Sequence, residues 1–104
     1  MANAEHIYVW EFLVRDDRIP EFEAAYRPGG TWTRLFEQAD GYVGTELVKD
    51  IRCPGRYLTF DRWATIEHYR RYRTSFATEH KGLDADCESF TLSETDLGEY
   101  GVVD

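Results

Sequence analysis

The sequence predicts a small α+β domain in which four antiparallel strands form one sheet with helices on one face. The segment Arg56–His80 combines a strand, a tight turn at Ala64-Thr65 and a long amphipathic helix. Three other segments have the apolar character of strands, and helical segments stand between them. The resulting order, β-α-β-β-α-β, is the ferredoxin-like pattern.

The length of 104 residues indicates one domain over residues 1–104, since a chain of this size builds one modest core. The core is expected at about residues 6–94. Residues 95–104 contain two glycines and several acidic side chains, and are expected to form a C-terminal tail.

The formal net charge of −8 excludes a nucleic-acid partner, because such proteins present a basic face. Cys53 and Cys87 fit no metal or redox spacing, which predicts free thiols in a reducing compartment. The sequence shows neither a signal-peptide pattern nor an apolar run of membrane-spanning length. A cytoplasmic protein without a membrane partner is expected.

The N-terminal half predicts one strand and two helices. The strand covers His6–Val14. Asp16 and Asp17 place negative charge where a helix begins, which favours a helix after the first strand. Thr31 can cap a second short helix, Trp32–Gln38.

The C-terminal half predicts a hairpin, a helix and a last strand. Strands at Tyr42–Ile51 and Tyr57–Trp63 are joined by a Pro-Gly turn. A helix from Ile66 to about Thr78 follows, because large apolar residues recur there at helical spacing. Ala77–Asp86 is expected to be a loop or short helical turn, and Glu88–Glu94 the last strand.

Glu11 is the exception in the first strand, an acidic residue in the middle of a largely apolar segment. Alternation places it on the face opposite Trp10. A buried carboxylate is costly without a partner. Glu11 is therefore expected either to pair with Arg62 or Arg73, or to line a polar cavity.

The apolar surface of the predicted sheet favours association of two chains. The first strand offers apolar side chains to both faces, and Tyr57, Asp61 and Trp63 share one face of the third strand. A sheet face without helices would expose such residues to water. The prediction is a homodimer with its sheets face to face and a cavity between each sheet and its own helices.

With these elements in place, the sequence resembles the antibiotic biosynthesis monooxygenase superfamily of dimeric α+β barrels. The resemblance covers about residues 6–94. It rests on Trp32 with Leu35-Phe36, on Gly41–Leu47, on Tyr57–Trp63, on Tyr69 and on Phe76–His80.

The resemblance implies a cofactor-independent monooxygenase that oxidises a phenolic or quinol-like aromatic with O₂. Haem binding or degradation is an alternative. Haem-degrading members use an Asn on the first strand, a Trp ending the third and a His in Phe-x-x-x-His. Trp63 and His80 match, but Glu11, or Trp10 in a shifted register, stands at the Asn position and disfavours haem. A non-catalytic dimeric module that binds an aromatic ligand is the third hypothesis.

The candidate site follows from that chemistry. His80 titrates near neutrality and is the expected base, with Glu11 as second base or proton shuttle. Aromatic side chains are expected to stack on or hydrogen-bond to a flat substrate: Trp63, Trp10, Tyr57 and Tyr72. No metal-binding motif is present. Structural roles stay open: His80 can cap its helix, Trp63 can be core and Glu11 can simply form an ion pair.

Overall fold

A computed structural model describes residues 5–103. Its four-stranded antiparallel sheet has the order β2-β3-β1-β4, which confirms the ferredoxin-like prediction. Short 3₁₀ turns at Asp16–Arg18 and Glu88–Phe90 complete the chain. The elements are β1 (His6–Val14), α1 (Ile19–Tyr26), α2 (Thr31–Phe36), β2 (Tyr42–Lys49), β3 (Arg56–Trp63), α3 (Ile66–Ser75), α4 (Ala77–Cys87) and β4 (Thr91–Gly101).

The strand register assigns each side chain to one of two sheet faces. Tyr8 of β1 lies opposite Asp61 of β3, and Trp10 lies opposite Thr59. These residues point to the helices, and their neighbours in sequence point away. The helix-free side, called the open face below, carries Ile7, Val9, Glu11, Leu13, Glu46, Val48, Arg56, Leu58, Phe60 and Arg62.

Aromatic rings fill the space between sheet and helices. Trp63, at 0% exposure, and Tyr72, at 1%, are enclosed. Phe36 of α2 meets both, with ring centroids 5.7 and 5.2 Å away in edge-on contacts. Edge-to-face pairs at such separations add to the stability gained from burial. Much of the chain's aromatic content is therefore core.

The expectation that Tyr57, Asp61 and Trp63 contribute to an exposed sheet face is wrong. The register places all three under the helices, and Tyr57 and Trp63 are buried. Alternation shows that they share a face, but it does not show which face the helices cover.

Residues 77–87, expected to be a loop or short turn, form the regular helix α4. Phe76 leaves helical geometry with φ −113° and ψ 25°, which ends α3 and begins α4. The backbone N–H of His80 donates to the Phe76 carbonyl in the first turn of α4. The long helix predicted to about Thr78 is thus two helices with a break at Phe76.

The last strand also differs from its prediction. It begins at Thr91, not at Glu88, and continues to Gly101, so most of the expected tail pairs with β1. The register shifts between Val9 and Trp10, and at this irregularity Gly98 has a φ of +107°, which glycine adopts without steric cost.

Cys53 and Cys87 are free thiols, as predicted. Within residues 5–103, no helix combines the length and the apolar character that crossing a membrane requires.

Candidate functional site

A cavity of about 210 Å³ lies between the helix side of the sheet and the helices. It is bounded by Tyr8, Trp10, Phe12, Tyr26, Trp32, Phe36, Thr45, Thr59, Asp61, Trp63, Tyr69, Arg73, His80, Asp84 and Glu94.

His80 reaches this cavity from the first turns of α4. Its Nδ1 lies 2.7 Å from the Tyr72 hydroxyl. Its ring meets Trp32 edge-on with centroids 4.9 Å apart. Because Nδ1 is engaged by Tyr72, Nε2 is the ring nitrogen left for a ligand.

Burial keeps His80 neutral. Desolvation, with the positive charge of Arg73 adding to it, lowers the pKa of His80 to about 4. At neutral pH the imidazole carries one N–H and one lone pair, and the lone pair lies on Nε2 in the tautomer whose Nδ1–H donates to the Tyr72 hydroxyl oxygen. The lowered pKa keeps His80 in the unprotonated form that can accept a proton, and it also makes His80 a weaker base than an exposed histidine.

Asp61 places a second titratable group in the cavity wall. Desolvation raises its pKa to about 6, against the opposing effect of a hydrogen bond from Thr45. The Thr45 hydroxyl lies 2.7 Å from Asp61 Oδ1 and 2.6 Å from the Tyr42 hydroxyl. No Lys, Arg or His side chain in residues 5–103 forms an ion pair with Asp61.

Among the other charged side chains of the lining, acidic groups outnumber basic ones. Asp84 and Glu94 add two carboxyl groups, and Arg73 adds one guanidinium. Arg73 Nη1 donates to the Tyr69 hydroxyl at 2.9 Å. With His80 neutral, the lining favours uncharged or cationic ligands over anions.

Three of the predicted site residues meet at the cavity: Trp10, Trp63 and His80. Trp10 is half-buried and stacks on Tyr8 with centroids 5.6 Å apart. Trp63 forms part of the cavity wall and is also a fully buried residue of the core. Tyr72 does not line the cavity, but it holds His80 through the contact described above.

Tyr57 and Glu11 lie outside the cavity. The buried Tyr57 hydroxyl donates to Glu23 Oε2. Glu11 is on the open face, where its carboxylate pairs with Arg56, not with Arg62 or Arg73. The structure therefore does not bring Glu11 and His80 together.

Asp61 and Trp32 are among the wall residues that the sequence did not identify as site residues. Asp61 had a detectable signal, since it is an acid inside the apolar segment Tyr57–Trp63 and shares a face with Trp63. Trp32 was recognised only as the buried side of a short helix. Its contact with His80 depends on how α2 packs against α4.

Haem fits this lining poorly. Asp61, Asp84 and Glu94 outnumber Arg73, so the two propionates of haem would meet carboxylates. No group of three or more His, Cys, Asp or Glu side chains in residues 5–103 is arranged to hold a metal ion.

The fold matches solved structures at low sequence identity. SnoaB, a cofactor-independent oxygenase from Streptomyces nogalater, is 17% identical with a TM-score of 0.73, over 97% of this chain and 95% of its own. A protein from Bordetella bronchiseptica assigned to the antibiotic biosynthesis monooxygenases is 20% identical with a TM-score of 0.78, over 97% and 99%. Protein SO0527 from Shewanella oneidensis is 16% identical with a TM-score of 0.69, over 96% and 92%.

The sequence comparison is more specific than these structural matches. No protein of curated function matches the chain. The family model for antibiotic biosynthesis monooxygenase matches residues 6–81, from the first residue of β1 into α4. That match covers most of the chain, includes three cavity-lining strands and His80, and supports a small monooxygenase-type role. The chain therefore belongs to the antibiotic biosynthesis monooxygenase family.

Proposed function

We propose that the protein is a cofactor-independent monooxygenase that oxidises a phenolic or quinol-like aromatic with O₂. The observation that carries this proposal is the neutral His80, fixed by Tyr72 at the wall of an aromatic cavity. The family match and the likeness to SnoaB, described as cofactor-independent, support it.

His80 is the base in this proposal. It takes a proton from a substrate hydroxyl or activated C–H, and the resulting anion is electron-rich enough to give an electron to O₂. Arg73 is the cation of the lining, and it stabilises the negative charge that develops on the substrate and on reduced oxygen.

The oxygen balance requires no external reductant. An activated CH₂ group loses one proton to His80 and one electron to O₂, and the substrate radical then bonds to the reduced oxygen. The peroxide that forms loses water, which leaves a carbonyl. One oxygen atom of O₂ enters the product, and the other leaves as water with the two hydrogens of the CH₂ group.

The cavity walls supply the flat slot that such a substrate needs. Trp10, Trp32 and Phe36 present aromatic surface to it. These rings bury the apolar body of the substrate and exclude water from the reacting carbon.

We also propose that two copies associate through the open face to form a dimeric α+β barrel. Val48, near the end of β2, is 42% exposed there, and Leu58 and Phe60 lie beside it on β3. Covering this surface would remove apolar area from water on both chains. Association would also hold in place the sheet that forms one wall of each cavity.

Oxygen consumption tests the proposed activity. The chelator-treated protein is mixed with anthrone or a naphthalene diol, and O₂ uptake is followed with an electrode. We expect uptake above the buffer rate that saturates with substrate. Uptake at the buffer rate, with substrate bound and recovered unchanged, would instead support a non-catalytic ligand-binding module.

A further inference from the structure

Asp61 has no assigned part in the reaction proposed above. It lies in the middle of β3, on the cavity wall, two residues before Trp63 on the same face. Ionised side chains in such a setting normally have a cationic partner, and here none of the described residues provides one.

A directed hydrogen-bond chain orients the Asp61 carboxyl group. The Thr45 hydroxyl donates its single proton to Asp61 Oδ1. Thr45 is then the acceptor for the Tyr42 hydroxyl. The chain fixes one carboxyl oxygen, and among residues 5–103 no side chain donates a hydrogen bond to the other, Oδ2.

An oriented carboxyl with one unused oxygen at a cavity wall is suited to accept a hydrogen bond from a ligand. A substrate hydroxyl offers such a donor, and an ether does not. A carboxylate on the ligand would meet like charge from Asp61, reinforced by Asp84 and Glu94.

We propose that Asp61 determines substrate specificity: its free carboxyl oxygen accepts a hydrogen bond from a ring hydroxyl, and its charge excludes carboxylated aromatics. The substrate class is thus a neutral aromatic with a free hydroxyl group. This inference rests on the proposed function in that the cavity is taken as the substrate site.

Anaerobic calorimetry with three matched probes tests the inference. The probes are 1,4-dihydroxynaphthalene, 1,4-dimethoxynaphthalene and 1,4-dihydroxy-2-naphthoate. With wild-type protein we expect the dimethoxy and carboxylated compounds to bind about tenfold or more weakly than the diol, as loss of a charge-assisted hydrogen bond or gain of like-charge repulsion implies. Equal affinity for all three would overturn the inference.

Two variants separate the two effects. Asp61→Leu removes the acceptor, and we expect the diol to lose its advantage over the dimethoxy compound. Asp61→Asn removes the charge but keeps a carbonyl oxygen, and we expect about a tenfold gain for the carboxylated probe relative to the diol. If Asp61→Leu, with a native circular dichroism spectrum, keeps the wild-type preference, the inference is wrong.

Glu46→Gln is the matched control. Glu46 follows Thr45 in β2 but lies on the open face, so its substitution removes the same charge from nearly the same place without touching the cavity. We expect the wild-type order of affinities, and a change as large as that in Asp61→Asn would overturn the inference.

The role proposed for Asp61 in binding and the proposed oxygenase activity can be rejected independently of each other. Binding is measured without O₂, so a hydroxyl preference that depends on Asp61 supports this inference even if no oxygen is consumed. Conversely, O₂ uptake by wild-type protein with unchanged probe preferences in the Asp61 variants would sustain the activity and reject the role of Asp61.

Discussion

Asp61 is an uncompensated carboxylate in the cavity wall, and this has a cost in stability. Its pKa is raised to about 6 by desolvation, so the folded state holds its proton more tightly than the unfolded chain. Folding is therefore disfavoured increasingly as the pH rises from about 4 to 6. A group retained at such a cost is typical of functional sites.

Asp61→Asn is predicted to stabilise the protein above pH 6, by about 1–3 kcal/mol, because the charge is removed and Thr45 keeps an acceptor. Near pH 4 the gain should vanish, since wild-type Asp61 is largely protonated there. Urea unfolding between pH 4 and 8 measures the difference in free energy of unfolding. A gain independent of pH would contradict the electrostatic cause.

His80 has the opposite effect on stability. Its pKa is lowered to about 4, so below about pH 6.5 the unfolded chain binds a proton that the folded state does not. Stability is therefore lost as the pH falls from about 6.5 to 4. The contributions of His80 and Asp61 oppose one another in this range, and each is resolved only by comparing a variant with wild type.

The pH profile of kcat/KM is predicted to show two breaks on its acid side. One, near pH 6, reports protonation of Asp61, and the other, near pH 4, reports His80. Steady-state O₂ uptake measures both. In Asp61→Asn only the lower break should remain, and a break near pH 6.5 that persists there would mean that His80 titrates as an exposed histidine does.

At the scale of elements, α4 positions His80, the proposed base, although the sequence of α4 gives only a weak helical signal. Residues 77–87 have few apolar side chains and contain Gly82, and of these apolar side chains Leu83 and Cys87 pack on the core. Helices of this kind form because tertiary packing outweighs intrinsic propensity. Apolar periodicity therefore predicts α3 but does not predict α4.

Gly82→Ala is predicted to stabilise the protein by about 0.5–1 kcal/mol, because it replaces a flexible residue inside a helix. The added Cβ has no neighbour within 4 Å among the described residues. Thermal and urea unfolding measure the change. A loss of stability would show that α4 does not form as described.

Gly41→Ala is the contrasting change. Gly41 has φ +86°, and a Cβ there would overlap the ring of His68. We expect destabilisation of about 1–3 kcal/mol from strain and collision together.

The strands were more predictable than the site that they carry. Alternation in β1 separated Trp10 from Glu11, and the structure keeps them on opposite faces. Which face the helices cover depends on the whole topology, so Glu11 was matched with His80 although it pairs with Arg56 across the open face. Likewise, residues 95–101 form a strand because they pair with the edge of β1, a contact that the local sequence does not reveal.

At the scale of the whole molecule, the open face is the surface that a second copy is proposed to cover. Sedimentation of the wild-type protein is expected to give twice the 12.2 kDa mass of the chain. Val48→Arg would place an unpaired charge in this interface, and we expect the dimer to dissociate at least about tenfold more readily.

Ile51→Arg makes the same kind of change in the exposed turn after β2, where Ile51 is 92% exposed. It should leave the dimer intact. A wild-type protein that sediments as a single chain at micromolar concentration would contradict the proposed association.

The most direct test of the oxygenase proposal is the fate of isotopically labelled oxygen. Chelator-treated protein is incubated with anthrone under ¹⁸O₂, and the mass of the product is measured by mass spectrometry. His68→Gln serves as the control, because His68 is a histidine outside the cavity. We predict one ¹⁸O atom per product molecule, at a rate that falls at least about a hundredfold in His80→Gln and is retained in His68→Gln. Product formed at the buffer rate, or equally fast in His80→Gln, would contradict the account.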